Sequence, residues 1–427
     1  MIRKAHDVPT FDPALLRGLT QRRISRRDLF RYAGAGAGAL GLGAFLAACG
    51  VSGSNPSGAT SSPSAVDFKK IYGDGKPAGI LNFANWPLYI DLNAQNKSPS
   101  LELFTKQSGI KVKYTTPIND NDPFLAKIIP VLQNGQDTGY DLIVITNGGP
   151  VDRMIKLGYL IPLDHTYLPN WKKYADPKTV NPNYDPGNKY SIVWQSGFTG
   201  IGYNSKVIKE PPTSFADLLN PKYKGKVGMF SNNQDLPCPA LTYKGFDIDT
   251  STPDQWKQAA DVVTKARDDG IVRQFYDQSY INALENGDTV ITQAWSGDIY
   301  IASQPKSVGG DGFPEMKFVF PKEGPIYWHD NMCIPKYAQH PVDAITYMNF
   351  VYQPKIAGMM ADYIWYVSPV PAAKEYVLNT IKDPAVADSP LVFPTPQDLT
   401  DVKPYKTFKT PDEEDQWNSV WEPVYSS

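Results

Sequence analysis

From Gly79 onward, short apolar runs alternate with segments of helical period. Ile80 to Phe83 reads as a strand, Leu101 to Gln107 as the end of an amphipathic helix, and Lys111 to Tyr114 as a second strand. Phe124 to Leu132 is helical, Asp141 to Ile145 is a buried strand, and Val151 to Leu157 is helical again. The middle of the chain repeats this order with Gly200 to Tyr203, Phe215 to Leu219, Val227 to Phe230, a helix around Gln255 to Arg267, and the strand Val290 to Ala294. Asp343 to Ala361 is helical, with Tyr347, Phe350, Val351, Ala357 and Met360 on its apolar face. Strand and helix in alternation predict an α/β fold with a largely parallel sheet, built as two units of comparable size. No repeat at solenoid periods is present.

The first 48 residues follow a different pattern. Arg26 and Arg27 follow a Ser and precede Leu29 and Phe30, a twin-arginine export pattern. The Gly-containing apolar run Ala33 to Ala48 is shorter than the ~20 residues that span a bilayer, so it reads as a signal segment rather than an anchor helix. It ends in Leu46-Ala47-Ala48-Cys49, small residues before a cysteine as in a bacterial lipobox, which makes Cys49 the expected lipidation site and new N-terminus. Gly36, Gly38 and Gly41 form a G-x-G-x-x-G, but no strand precedes it and the segment is removable, so it carries no nucleotide-binding meaning. From Gly50 to about Val66 the residues are mostly Ser, Gly, Pro, Ala and Asn, a tether with a root-mean-square reach of about 20 to 25 Å.

Composition narrows the function. Residues 1–48 hold eight of the 42 Lys and Arg and three of the 44 Asp and Glu, so that segment is +5 and the rest of the chain is −7. A net negative body has no basic field for phosphates, which argues against nucleic-acid partners and toward cationic ones. Four His and three Cys leave few ligands for a metal centre, and no cofactor is expected. His165, His329 and His340 are the imidazole bases beyond the signal segment, and no G-x-S-x-G, H-E-x-x-H or phosphate-binding Gly/Lys loop accompanies them. A glycoside hydrolase, whose two carboxylates need no short motif, is the enzymatic alternative.

Several segments, in this order, resemble the substrate-binding proteins of bacterial ABC importers, within them the spermidine/putrescine-binding branch: Asn82-Phe83-Ala84-Asn85-Trp86 with Tyr89; Tyr140 to Val144 followed by Val151-Asp152-Arg153-Met154; Gly200-Ile201-Gly202-Tyr203-Asn204; Ser214 to Leu218 with Tyr223-Lys224-Gly225; Trp295-Ser296-Gly297; and Pro321-Lys322-Glu323-Gly324 with Trp328 and Asp330. The resemblance implies a two-lobed type II periplasmic-binding-protein fold with the ligand cleft between the lobes. After the signal (1–48) and tether (49–77), lobe one would hold 78–197 plus 329–374, and lobe two 198–328 plus 375–427. It also implies lobes that close over the ligand, a monomer, and a membrane permease with its ATPase as partners. Export and lipidation together place the protein outside the cytoplasmic membrane, held there by its lipid.

The positions matching the family's ligand contacts are Trp86 and Tyr89 from lobe one, Trp295 and Trp328 from lobe two, Tyr366 from the returning segment, and the carboxylates Asp330 and Asp235. Asn147 stands where Ser is frequent and could still hydrogen-bond an amine. The chain departs from the pattern at Gly149, commonly Tyr, and at Asn232, commonly Asp, which removes one charge partner. Asp298 is either a replacement for that charge or a solvated loop carboxylate. Rings for methylenes and carboxylates for ammonium groups suit a polyamine: a desolvated cation on a ring gains up to about 2 kcal/mol, and a charged hydrogen bond about 1.5 to 3 kcal/mol. Another amine-bearing metabolite and an oligosaccharide, which also stacks on Trp, are the competing ligands. Cys238 and Cys333 are expected as buried free thiols, although an exported domain permits their disulfide.

Overall fold

The computed structural model describes residues 66–426 apart from 94, 119, 307 and 308. The twin arginines, the signal run and Cys49 lie outside the described residues. Within the stretch expected to be tether, Phe68–Tyr72 is instead a short helix. Its Tyr72 is buried, donates its hydroxyl to the Pro162 carbonyl at 3.0 Å and stacks on Tyr167 at 5.5 Å. The folded body therefore begins about ten residues before the expected lobe limit at 78, close to where the Ser/Gly/Pro-rich composition ends at Val66.

Among the described residues nine strands form one connected sheet: β1 (Ile80–Ala84), β2 (Lys111–Thr115), β3 (Leu142–Thr146), β4 (Ser191–Asn204), β5 (Val227–Phe230), β6 (Val272–Tyr276), β7 (Ile291–Trp295), β8 (Met316–Val319) and β9 (Ile326–Cys333). Their spatial order is β2-β1-β3-β9-β4-β7-β5-β6, with β8 also on β4. The sheet is mixed rather than largely parallel. β1 pairs in parallel with β2 and β3, and β5 with β6 and β7, whereas β9 and β4 run antiparallel to each of their partners.

These two central strands join the halves of the fold. Ser191 to Thr199 of β4 pairs with β9, while Thr199 to Asn204 pairs with β7 and β8. β9 in turn gives Asp330 to Cys333 to β3. Each crosses from one α/β half to the other, which is why they are antiparallel and why their apolar-polar pattern is irregular. β3, Leu-Ile-Val-Ile-Thr, is buried along its whole length, as expected of a strand covered on both faces.

The helices follow local rules. Pro99–Ser108 starts behind Ser98, whose side chain accepts from Leu101 N, and stops at Gly109 in the left-handed region. Pro253–Asp268 has a Thr252/Gln255 capping box and buries Trp256, Ala259, Ala260, Val263 and Ala266 along one stripe. The helical stretch expected from Asp343 to Ala361 is two helices, Pro341–Val351 and Pro354–Ile364, because Pro354 cannot continue the first but starts the second. A C-terminal helix, Pro411–Ser426, packs through Trp417 against Trp256 at 5.3 Å. Cys238 and Cys333 are both buried and free. Among the described residues no helix is long and apolar enough to cross a membrane.

Candidate ligand-binding site

The candidate residues converge where the parallel strands of each half end, beside the two crossing strands. Crevices at such carboxyl edges are the usual ligand sites of open α/β sheets. Trp86 and Tyr89 follow β1, Thr146 and Asn147 close β3, Asn232 and Asp235 follow β5, and Trp295 and Asp298 sit at the end of β7. Trp328 and Asp330 are two apart on β9 and so share a face of it.

Four of the predicted residues form one cluster. Tyr89 donates its hydroxyl to Asp330 Oδ2 at 2.6 Å, and its ring meets Tyr366 edge-on at 5.7 Å. Tyr366 in turn lies 5.7 Å from the Trp328 ring. Trp328 can lie flat on β4 because Gly197 has no side chain, and Tyr366 can approach the Trp295 helix because Gly297 has none: a Cβ at either would run into the ring. No ring or hydrogen-bond contact joins Trp86 to this group among the described residues: it is half-buried, with its indole N–H fixed on the Val144 carbonyl at 3.1 Å.

Asp330 is 6 % exposed. It faces Thr146 across the β3–β9 ladder and accepts that hydroxyl on Oδ1 at 2.6 Å. Burial first, and repulsion from Asp235 to a smaller degree, push its carboxyl up to about 6, against the pull of the Thr146 and Tyr89 hydrogen bonds. Burial and Asp330 itself raise the Tyr89 phenol well above its ordinary range, so it remains a neutral donor.

Asp235 anchors the second cluster. It accepts from the Thr199 hydroxyl at 2.5 Å, from the Tyr405 hydroxyl and from Asn232 Nδ2 at 3.1 Å. Asn232 acts as a turn cap here, since its Oδ1 takes Gln234 N and Asp235 N at 2.9 and 2.6 Å. Trp295 stacks on Phe230 at 4.7 Å. Asn147, expected to face an amine, spends its Oδ1 on His329 N at 2.8 Å and bridges β3 to β9.

Asp298 is not a solvated loop carboxylate. It lies in the first turn of the helix Ser296–Ser303, is 4 % exposed, and accepts from Tyr366 at 2.6 Å and Tyr280 at 3.0 Å. The residues that sequence reasoning missed, Thr146, Thr199, Tyr280 and Tyr405, are hydroxyls that orient these carboxylates. Asp235 and Tyr405 are 170 positions apart, and no local pattern links them.

The two halves touch across the cleft. Gln234 donates to the Asn147 and Gly148 carbonyls at 2.8 Å each, and Arg153 pairs with Glu414 at 2.5 Å, while Asp122 of its own half holds the same guanidinium at 3.2 Å. A Ser–His contact, Ser196 Oγ to His329 Nδ1 at 2.7 Å, is sealed between β4 and β9. Burial holds that imidazole down at about 4, so it is neutral and orders the strand crossing rather than meeting a substrate.

A two-lobed α/β fold with a buried, acid-bearing aromatic cleft at the crossing strands defines a solute-binding protein. Comparison with known proteins agrees: the model of the family described as bacterial extracellular solute-binding protein matches residues 137–412, and the chain belongs to that family. The spermidine/putrescine-binding periplasmic protein of Salmonella typhimurium is 31 % identical over 321 residues, covering 75 % of this chain and 84 % of the relative. Protein 1 of that description from Haemophilus influenzae is 33 % identical over 291 residues, 68 % and 77 % of the two chains. The spermidine/putrescine ABC transporter substrate-binding protein PotD of Streptococcus pneumoniae superposes with a TM-score of 0.67 at 24 % identity, over 81 % of this chain and 98 % of that one, and shows the same fold. The family binds solutes for transport; it is not a family of enzymes.

Proposed function

We propose that this protein captures a polyamine-like cation outside the cytoplasm and delivers it to an ABC permease and its ATPase. The observation that carries the reading is Asp330: a buried carboxylate whose partners are two hydroxyls, in the cluster of Tyr89, Trp328 and Tyr366. A buried carboxylate without a cation is costly, and a ligand ammonium relieves that cost. One charged hydrogen bond and two or three ring contacts approach the ~8 kcal/mol of micromolar binding. The names of the relatives, spermidine/putrescine-binding proteins, support the same ligand class. Trp295 belongs to the opposite wall, and the lobe limits at 197/198 and 328/329 fall within the stretch where β4 and β9 cross.

A thermal-shift panel of putrescine, spermidine, spermine, maltose and buffer tests the reading, since ligands that bind the native state raise its melting temperature. Amines are expected to respond and maltose not. The buried Trp328 indole N–H, which has no acceptor among the described residues, would be served by a sugar hydroxyl, so a response to maltose alone establishes the oligosaccharide reading instead.

Affinity should depend on pH through Asp330. Above its pKa of about 6 the carboxylate is ionised and affinity is level. Below it, binding must first remove a proton, so the Kd at pH 5 should be about tenfold weaker than at pH 7. Calorimetry at the two pH values checks this; equal affinities would remove Asp330 as the charge partner.

Anchoring by a lipid on Cys49, after export by the twin-arginine signal, completes the proposal, with the monomer as the working form. Cys49→Ala should still fold but fractionate with the soluble material, and a variant as firmly membrane-attached as the parent would refute the lipid anchor.

A further inference from the structure

Asp330 and Asp235 differ in how completely they are used. A carboxylate has about four lone-pair positions. Asp330 accepts from Tyr89 and Thr146 and keeps room for a ligand donor. Asp235 accepts from Thr199 and Tyr405 on Oδ1 and from Asn232 on Oδ2, so Oδ1 is filled and three of its four positions are taken by the protein's own neutral donors.

Tyr405 is the one of these donors that comes from the C-terminal segment rather than from the sheet and its edge loops. Its place is fixed from both sides. Before it, Lys403 N donates to the Pro325 carbonyl at 2.9 Å and the Lys403 carbonyl accepts from Tyr327 N at 2.8 Å. After it, the buried Lys406 ammonium binds the Asp249 carbonyl and Glu413 at 3.0 Å each, and Thr407 N binds Asp249 Oδ1 at 2.8 Å. Between these ties the Tyr405 ring rests on Gly148, where any Cβ would collide with it. The absence of a side chain at Gly148 thus leaves a space at the cleft edge that the C-terminal segment fills with a phenol, 3 % exposed.

We propose that Tyr405 selects ligand length: its hydroxyl occupies the position on Asp235 that a second ligand ammonium would need, leaving Asp330 as the ammonium anchor of the pair and favouring short diamines over longer polyamines. This rests on the polyamine reading above. Tyr405→Phe removes the donor and keeps the ring on Gly148. A position on Asp235 then opens to a ligand charge.

Calorimetry of putrescine and spermidine on the parent and on Tyr405→Phe tests the inference. The parent should bind putrescine at least as tightly as spermidine. In the variant spermidine should gain about tenfold, the worth of one charged hydrogen bond, while putrescine moves less than about threefold. A general loosening of the fold would weaken both ligands together, so the ratio is the readout that a purely structural role leaves unmoved. An unchanged ratio overturns the inference, as does a parent that already prefers spermidine, a result that needs no variant. Tyr405→Leu, which also lacks the donor, replaces the phenylalanine variant if circular dichroism shows that one misfolded. A parent that binds neither amine defeats the polyamine reading itself, and the inference with it.

Discussion

Asp330→Ala should weaken putrescine binding by more than about tenfold, because the ligand ammonium would close into a water-poor cleft with no carboxylate to meet it. The side chain is held for this task from two directions. Tyr89 fixes Oδ2 and Thr146 fixes Oδ1, both at 2.6 Å, so the ionised form needs little rearrangement to accept a cation. Asp330→Asn is the sharper control: it keeps the shape and can keep one accepted hydrogen bond, but it has no charge, and it should lose nearly as much. Calorimetric titration of the three proteins separates the cases. Unchanged affinity in Asp330→Ala would remove Asp330 from the site.

The largest expected loss of stability is at Asp343, far from the cleft in sequence but tied to the strand that leads into Trp86. Its fully buried carboxylate accepts the backbone N–H groups of Ala78, Gly79 and Ile80 at 2.8, 2.7 and 3.0 Å. That pins the start of β1 to the first turn of the helix Pro341–Val351. Asp343→Ala leaves these three donors without their acceptor. At about 1–3 kcal/mol for each unsatisfied group, and with some rescue by water, the loss should be about 3 kcal/mol or more. Urea unfolding should show a lower midpoint at an unchanged slope; a midpoint equal to the parent's would show that the carboxylate is not what holds β1.

The parallel strands of the first half were legible because they are short apolar runs between turn residues: Ile80–Ala84 and Leu142–Thr146 differ from expectation by a residue at most at either end, whereas the edge strand Val272–Tyr276 and the side strand Met316–Val319 were not expected. The centre was not. β9 reads Ile-Tyr-Trp-His-Asp-Asn-Met-Cys and is buried throughout, so neither alternation nor an apolar run marks it. The first half of β4 has Gln195 and Ser196 fully buried, which hides a strand of 14 residues behind what looked like a short one. Both are polar because they face the cleft and each other at the crossing, so the positions hardest to read as strand are those nearest the site.

The site itself was legible as a set of rings and carboxylates through resemblance, not through spacing. What the residues could not tell was how each acid is used. Asp298, in a Ser-Gly-Asp stretch that suggests a turn, is the buried start of a helix held by two phenols. Asn147 and Asn232 look like ligand amides and instead spend their carbonyls on the backbone of β9 and of the Asp235 turn. Some of these roles depend on distant partners, as with Asn147 and His329 at 182 positions and Thr146 and Asp330 at 184.

A pair of molecules of equal length decides most directly whether charge governs recognition. Calorimetry at pH 7.5 should show putrescine binding in the micromolar range, at a gain of about 8 kcal/mol, and no measurable heat from 1,4-butanediol, which has the same four-carbon chain and hydroxyls in place of ammonium groups. Comparable affinity for the two would mean that the cleft reads the chain or its hydrogen bonds rather than its charge, and would contradict the role given to Asp330.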